Sequence, residues 1–196
     1  MSTKTFYFQK QLTAGKEGEN LMLKYYHMPL LPSTDRKYDF RCVHTGHKVE
    51  IKTDTYDISR TPYFFFERYS NLEKQSPGGP WRASQDRVPI FVYFFVKNNR
   101  YFEFKNLPKM LQMLKRRIDK GTLQEVKVVN KGWVTVGYKV PRELVQKYWT
   151  EYEFNPALDR RAVPVQEGLS QELHSSSDVT IPNSTQDTTL SEGGGE

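Results

Sequence analysis

The sequence predicts an α/β protein, and three observations carry that expectation. Residues 14–27 place Leu21 and Tyr25, and Met22 and Tyr26, four apart, which is the spacing of one apolar helix face. Tyr38 to His44 and His47 to Lys52 read as two short strands turning at Gly46. Tyr63 to Tyr69 and Pro89 to Val96 are aromatic and β-branched runs of strand length. A chain of 196 residues suits one domain with its own core, and 37% apolar with 14% aromatic residues makes Phe and Tyr its main filling.

Taken in order, Lys4 to Leu12 alternates loosely and is expected as an edge strand or an ordered arm. The helix from Ala14 to about His27 follows, and Pro29 and Pro32 end it. Glu17 and Glu19 fall early in that helix, where the dipole alone favours acids. In the hairpin, Glu50 and Lys52 share one face and Val49 and Ile51 the other, because successive strand side chains alternate. Asp54 keeps to the Glu50 face if the strand persists, and Asp57 falls in the turn towards Arg60-Thr61-Pro62. Tyr63 to Tyr69 is expected as a third, central strand. Its Glu67 is open between a structural ion pair and a place in a site.

Asn71 to Arg87 is expected as a loop around Ser76-Pro77-Gly78-Gly79-Pro80, with a short helical turn from Trp81. Its Lys74, Arg82 and Arg87 suit a DNA backbone, while Trp81 either stacks on an unpaired base or plugs the core edge. Pro89 to Val96 and Tyr101 to Phe104 form a hairpin. Leu107, Met110, Leu111 and Leu114 then make the stripe of a helix running to about Ile118. Lys115, Arg116 and Arg117 at its far end suit both the helix dipole and phosphates. Val126 to Val129 and Trp133 to Val140 read as a last hairpin, and Pro141 opens a closing helix to Tyr148. His27, His44 and His47 lack metal-ligand spacing and read as surface residues. Cys42 is alone, which excludes an internal disulfide and a cysteine zinc cluster and suits a small buried thiol.

Charge divides the chain. Residues 1–158 hold 27 basic and 16 acidic residues, net +11, whereas residues 159–196 hold two basic and seven acidic ones, net −5. A domain so basic is a candidate for a polyanion. From about Arg161 onward Ser, Thr, Gln, Gly and acids dominate, so residues 159–196 are expected as an acidic, low-complexity, disordered tail on a domain of residues 1–158. No apolar run approaches a membrane span and the first residues have no signal-peptide core, so the cytoplasm is the expected location.

The chemistry concentrates in the hairpin. Turning at Gly46 brings Asp39 alongside Glu50, so two carboxylates and the Lys52 ammonium gather around one point. Two carboxylates with room for water suit a hard divalent cation. An ammonium beside them can orient a water or offset charge building on a phosphate.

An Asp on one strand and Glu-x-Lys on the next, here Asp39 and Glu50-Ile51-Lys52, resembles the PD-(D/E)XK nuclease superfamily, with Tyr38 where that pattern has its Pro. Gly15-Lys16-Glu17-Gly18-Glu19 resembles the spacing by which the phage and bacterial, resolvase-like branch brings an early-helix Glu to the metal. The strand ending in Glu67 resembles one that follows Glu-x-Lys in some of these nucleases, without its opening Asn. The resemblance covers roughly residues 12–120. It implies a restriction-endonuclease-like core, a central mixed β-sheet flanked by helices, with ligands at one end of the strands. It further implies Mg²⁺, or Mn²⁺ as a substitute, held by Asp39, Glu50, the main-chain carbonyl of Ile51 and Glu19. Lys52 completes the catalytic set of Asp39, Glu50 and Lys52, and Glu67 and Asp54 are accessory candidates.

The expected activity is metal-dependent endonucleolytic hydrolysis of DNA phosphodiesters, in repair, recombination or the processing of branched or replication intermediates. DNA is the expected partner, bound through Lys74, Trp81, Arg82, Arg87, Lys115, Arg116 and Arg117. A phage gene would place the protein in the host cytoplasm, and a homodimer is left open. The alternative is a non-catalytic DNA-binding module that uses the same basic face.

Overall fold

The computed structural model describes residues 8–165, with side chains from residue 13 on. Residues 4–7 of the expected first strand and residues 166–196 of the expected tail lie outside the described residues, whereas residues 159–165 of that tail are structured, with Ala162 buried and Val163 and Pro164 paired to Glu153 and Tyr152. The chain opens with helix α1 (Phe8–Tyr25), so residues 8–12 are helical and not extended as the alternation suggested. Gln, Lys and Leu are good helix formers, and extending a helix already nucleated costs little. Strands β1 (Leu30–Pro32), β2 (Phe40–Cys42), β3 (Lys48–Asp54), β4 (Tyr63–Asn71) and β5 (Ser76–Pro77) follow. Next come α2 (Gly79–Gln85), β6 (Ile90–Phe95), β7 (Arg100–Phe104), α3 (Leu107–Asp119), β8 (Gln124–Asn130), β9 (Trp133–Pro141), β10 (Trp149–Glu153) and β11 (Val163–Pro164).

The architecture is α/β. A seven-stranded mixed sheet runs β1-β2-β3-β6-β7-β10-β11, in which β3 and β6 pair parallel and the other neighbours antiparallel. A second, antiparallel sheet runs β5-β4-β9-β8. One face of the large sheet is closed by α1, whose Met22 and Tyr25, with Tyr26 just past its end, pack with Val49, Val92, Phe94 and Tyr101. Against the other face, Phe91, Tyr93, Phe95 and Phe104 meet Phe64 and Phe66 of β4 and the Leu107, Met110, Leu111 and Leu114 stripe of α3. Phe64 stands edge-on to Phe104 at 5.1 Å, the geometry aromatic quadrupoles favour.

Four further expectations change. The aromatic strand Tyr63 to Tyr69 is internal, as its composition demanded, but in the second sheet: Phe64 and Phe66 face the large sheet, while the Phe65 ring lies on Gly137, where a Cβ would sit 2.5 Å from it. The Pro- and Gly-rich run expected to be irregular instead supplies β5 and the start of α2, with Pro80 in the first helical turn, where its missing N–H costs nothing. The closing helix is a tight 3-10 segment, Glu143–Tyr148, and β10 after it joins the large sheet beside β7. His27 is no surface residue, its ring lying 4.3 Å from that of Tyr152 in a near-parallel stack. Cys42 is buried in β2, as a small thiol there should be. Among the described residues no helix is long and apolar enough to cross a membrane.

Candidate functional site

The β2–β3 hairpin turns through Gly46 at φ +70, a left-handed conformation suited to glycine. Its pairing ends early. Phe40 and Arg41 face Val49 and Lys48 across the strands, but beyond them β2 stops while β3 continues. Asp39 fills the gap: its N–H donates to the Val49 carbonyl at 3.1 Å, and its Oδ2 accepts from the Ile51 N–H at 2.7 Å. The carboxylate therefore stands where a ladder carbonyl would, on the rim of β3.

Glu50 and Lys52 face the second sheet, beside Phe91 and Tyr93 of β6. The Glu50 side chain is 6% exposed, and its Oε1 accepts from the guanidinium of Arg82 on α2. Its Oε2 is buried with no hydrogen-bond partner. A buried carboxylate oxygen without a donor is costly, a cost that a water or a cation would relieve. Burial raises the Asp39 carboxyl above its usual range, opposed by the Ile51 N–H and the Arg82 charge. Glu19 on α1 is raised in turn, first by burial and then by the negative charge of Asp39, against Lys16. Asp39 thus lies in the electrostatic reach of both Glu19 and Arg82. Gly18 makes the approach of α1 feasible, since a Cβ there would fall 2.2 Å from Thr53 Oγ1 on β3.

Lys52 Nζ donates to Glu67 Oε1 at 2.7 Å, so the acid left open by the sequence is an ion-pair partner for the lysine. Glu67 sits at a β-bulge, because the β4–β9 register passes from Glu67–Gly137 to Tyr69–Val136 with Arg68 in excess. Gly78 lets α2 start directly over it: a Cβ there would lie 2.9 Å from that of Glu67. Two ion pairs, Glu50 with Arg82 and Lys52 with Glu67, therefore join β3 to α2 and β4.

Asp54 lies four residues beyond Glu50, about 13 Å along the strand, and does not join it. Its Oδ1 accepts from the Tyr56 N–H at 2.8 Å and its Oδ2 from the Tyr93 hydroxyl. Burial first, and Asp54 after it, push that hydroxyl well above the ordinary tyrosine range.

The basic residues scatter. Arg82 belongs to the carboxylates, not to a free loop. Trp81 is partly buried against the core, with the Arg68 guanidinium 5.7 Å from its ring. Lys74, Arg87, Arg116 and Arg117 are exposed, and Lys115 bonds Asp119 one turn on at 2.8 Å. A cleft of about 360 Å³ opens at the start of α3, lined by Lys105, Lys109, Lys147, Tyr148, Trp149 and their neighbours. It lies on the Glu50 row of the large sheet: Glu50 neighbours Phe91, Phe91 neighbours Phe104, and Phe104 neighbours Trp149. Three strand spacings, about 14 Å, separate its ends.

The sequence reading missed a further acid, Glu103. It is 1% exposed, accepts from the Tyr26 hydroxyl, bonds Lys105 at 3.1 Å and stands 3.6 Å from His27 Nε2. A Glu inside the aromatic strand Tyr101 to Phe104 was the signal that could have found it. Among the described residues no group of three or more His, Cys, Asp or Glu side chains converges as a ready metal site. In donor type, however, Asp39, Glu19 and the unpartnered Glu50 Oε2 fit a hard cation. Comparison with models of protein families, with curated proteins and with solved structures gives no match for this chain.

Proposed function

We propose that the protein is a metal-dependent endonuclease that hydrolyses DNA phosphodiesters, built on the PD-(D/E)XK plan. The buried, unpartnered oxygen of Glu50 carries the reading, since it points to a cation beside an acid-lysine pair on one strand face. Glu50 and Asp39 hold Mg²⁺ or Mn²⁺, with Glu19 and the Ile51 carbonyl as further oxygen donors. When bound, the cation supplies Lewis-acid stabilisation of charge on the phosphate. Lys52 orients the attacking water and offsets charge in the transition state, and Glu67 holds its ammonium in position. Exposed Lys74, Arg87, Arg116 and Arg117, and the lysines of the α3 cleft, position the strand through its phosphates, so weak sequence preference follows. Branched DNA and replication or recombination intermediates are the proposed substrates, in repair or recombination.

One observation favours the second reading, a DNA-binding module without catalysis: Arg82 already neutralises Glu50. A cleavage assay on labelled linear, flapped and four-way DNAs, with Mg²⁺, with Mn²⁺ and with EDTA, separates the two. Cutting that requires the metal supports the nuclease. Binding of every DNA without cutting of any supports the module.

A further inference from the structure

Arg82 satisfies half of a carboxylate. A guanidinium and a carboxylate can form two parallel hydrogen bonds, yet Arg82 engages Oε1 of Glu50 and leaves Oε2 buried and unpartnered. The two groups also differ in surroundings. The Glu50 side chain is 6% exposed and that of Arg82 is 45% exposed, so the acid is fixed while the base has solvent to withdraw into. Arg82 is carried on a seven-residue helix anchored through its other side chains: Ala83 and Pro80 are buried and Trp81 packs on the core. The guanidinium can therefore rotate away on its own long stem without moving α2.

We propose that Arg82 is an internal counter-ion which neutralises Glu50 in the metal-free protein, withdraws when a divalent cation takes the free Oε2, and then takes a phosphate of the bound DNA. The inference rests on the reading of Glu50 as a metal ligand. Two consequences follow from its chemistry. A cation on Oε2 would lie against the guanidinium held by Oε1, so the Arg82 charge weakens metal binding in the free protein. A DNA phosphate offers the guanidinium another acceptor, so DNA and metal should strengthen each other, and by linkage each does so equally. Cutting would then be confined to metal bound with its substrate in place.

The test is Mn²⁺ binding to the full chain, read by the loss of the free-ion EPR signal, for wild type, Arg82→Ala, Arg82→Lys and Glu50→Gln. Arg82→Ala should tighten Mn²⁺ about 5- to 10-fold, in the range of ordinary coupling between sites. Arg82→Lys, which keeps the charge, should stay within about 2-fold of wild type. In a Lys52→Ala background, a 20-base-pair duplex should tighten Mn²⁺ about 5-fold, and adding Arg82→Ala should remove that gain. Circular dichroism of each variant checks the fold independently. If Glu50→Gln weakens Mn²⁺ but Arg82→Ala leaves it unchanged or weaker, the counter-ion role is overturned and the metal site stands. If Glu50→Gln binds Mn²⁺ as wild type does, the metal reading of Glu50 fails and the inference falls with it.

Discussion

Glu50 and Lys52 stand two residues apart on one strand, and the proposed function gives them different roles that substitution separates. Glu50→Gln should abolish cleavage and weaken Mg²⁺ or Mn²⁺ binding, because an amide is a poorer ligand for a hard cation. Lys52→Ala should cut kcat by about 10² to 10³, the usual effect of losing one transition-state stabiliser, while metal binding is kept or tightened. Both should stay within about 3 °C of the wild-type melting temperature without metal, since about 1 kcal/mol moves a chain of this size by about 2–4 °C. Wild-type cleavage by Lys52→Ala would remove the hairpin from the mechanism. Asp39 carries a prediction in pH. Its folded carboxyl is raised above the ordinary 3.8, so its charge costs stability above the raised value and costs nothing below the unfolded one. Asp39→Asn, which still accepts from the Ile51 N–H, should therefore raise the metal-free melting temperature at about pH 7, with the gain shrinking as pH falls through that window. A gain that does not change with pH would exclude buried charge as its cause. The placement of Asp39 beside β3 and of Glu50 and Lys52 on one face of it was legible because strand alternation is a local rule. Arg82 and Glu67 were not, since their partners lie 32 and 15 residues away across a tertiary crossing.

Among the elements, the seating of α1 on β3 decides whether Glu19 reaches the site. Gly18→Ala puts a methyl 2.2 Å from Thr53 Oγ1, and Thr53, branched at Cβ, has little room to give. Overpacking of this kind costs about 1–3 kcal/mol, and the helix should lift and carry Glu19 away from Asp39. Thermal melts and Mn²⁺ titration should show both losses, and Thr53→Ala in the same chain should restore most of each. Absence of rescue would place the cause outside the α1–β3 contact. Long periodic elements were readable from the sequence: α1 over most of its length, the β2–β3 and β6–β7 hairpins, α3, and the β8–β9 pair. Short elements were not. β1, β10 and β11 have two to five residues each and exist because a neighbouring edge pairs with them. The assignment of β4 to its own sheet also lay beyond periodicity, because an aromatic strand looks the same in either sheet.

At the scale of the whole chain the governing quantity is charge. The first 158 residues carry net +11 and the remainder net −5, so DNA affinity in EDTA should fall steeply with salt, and a chain ending at residue 165 should bind as tightly as the full one or more so. Replacing Lys109 and Lys147 of the α3 cleft by Glu should flatten the slope of log K against log salt by about two, near one unit per lost phosphate contact. Fluorescence anisotropy across a salt series measures all three, and an unchanged slope would take the cleft out of the DNA path. The α/β class was visible in the order of elements, and the basic balance in composition alone. The split into two sheets was not, because it depends on which strands meet across long separations.

The parallel pairing of β3 with β6 has a consequence in time. The 35 residues between Asp54 and Ile90 contain β4, β5 and α2, and so both Glu67 and Arg82. Closing a segment of that length costs about 3 kcal/mol of chain entropy before any contact forms across it. Helix and hairpin can form early from local contacts, whereas the partners of Glu50 and Lys52 arrive only when the crossover has docked. After dilution from urea, the far-UV signal should therefore recover before Mn²⁺ binding does, and recovery of both in one phase would mean that hairpin and crossover assemble together. A newly made chain would thus pass through a stage in which its hairpins and helices exist while Glu50 and Lys52 still lack Arg82 and Glu67.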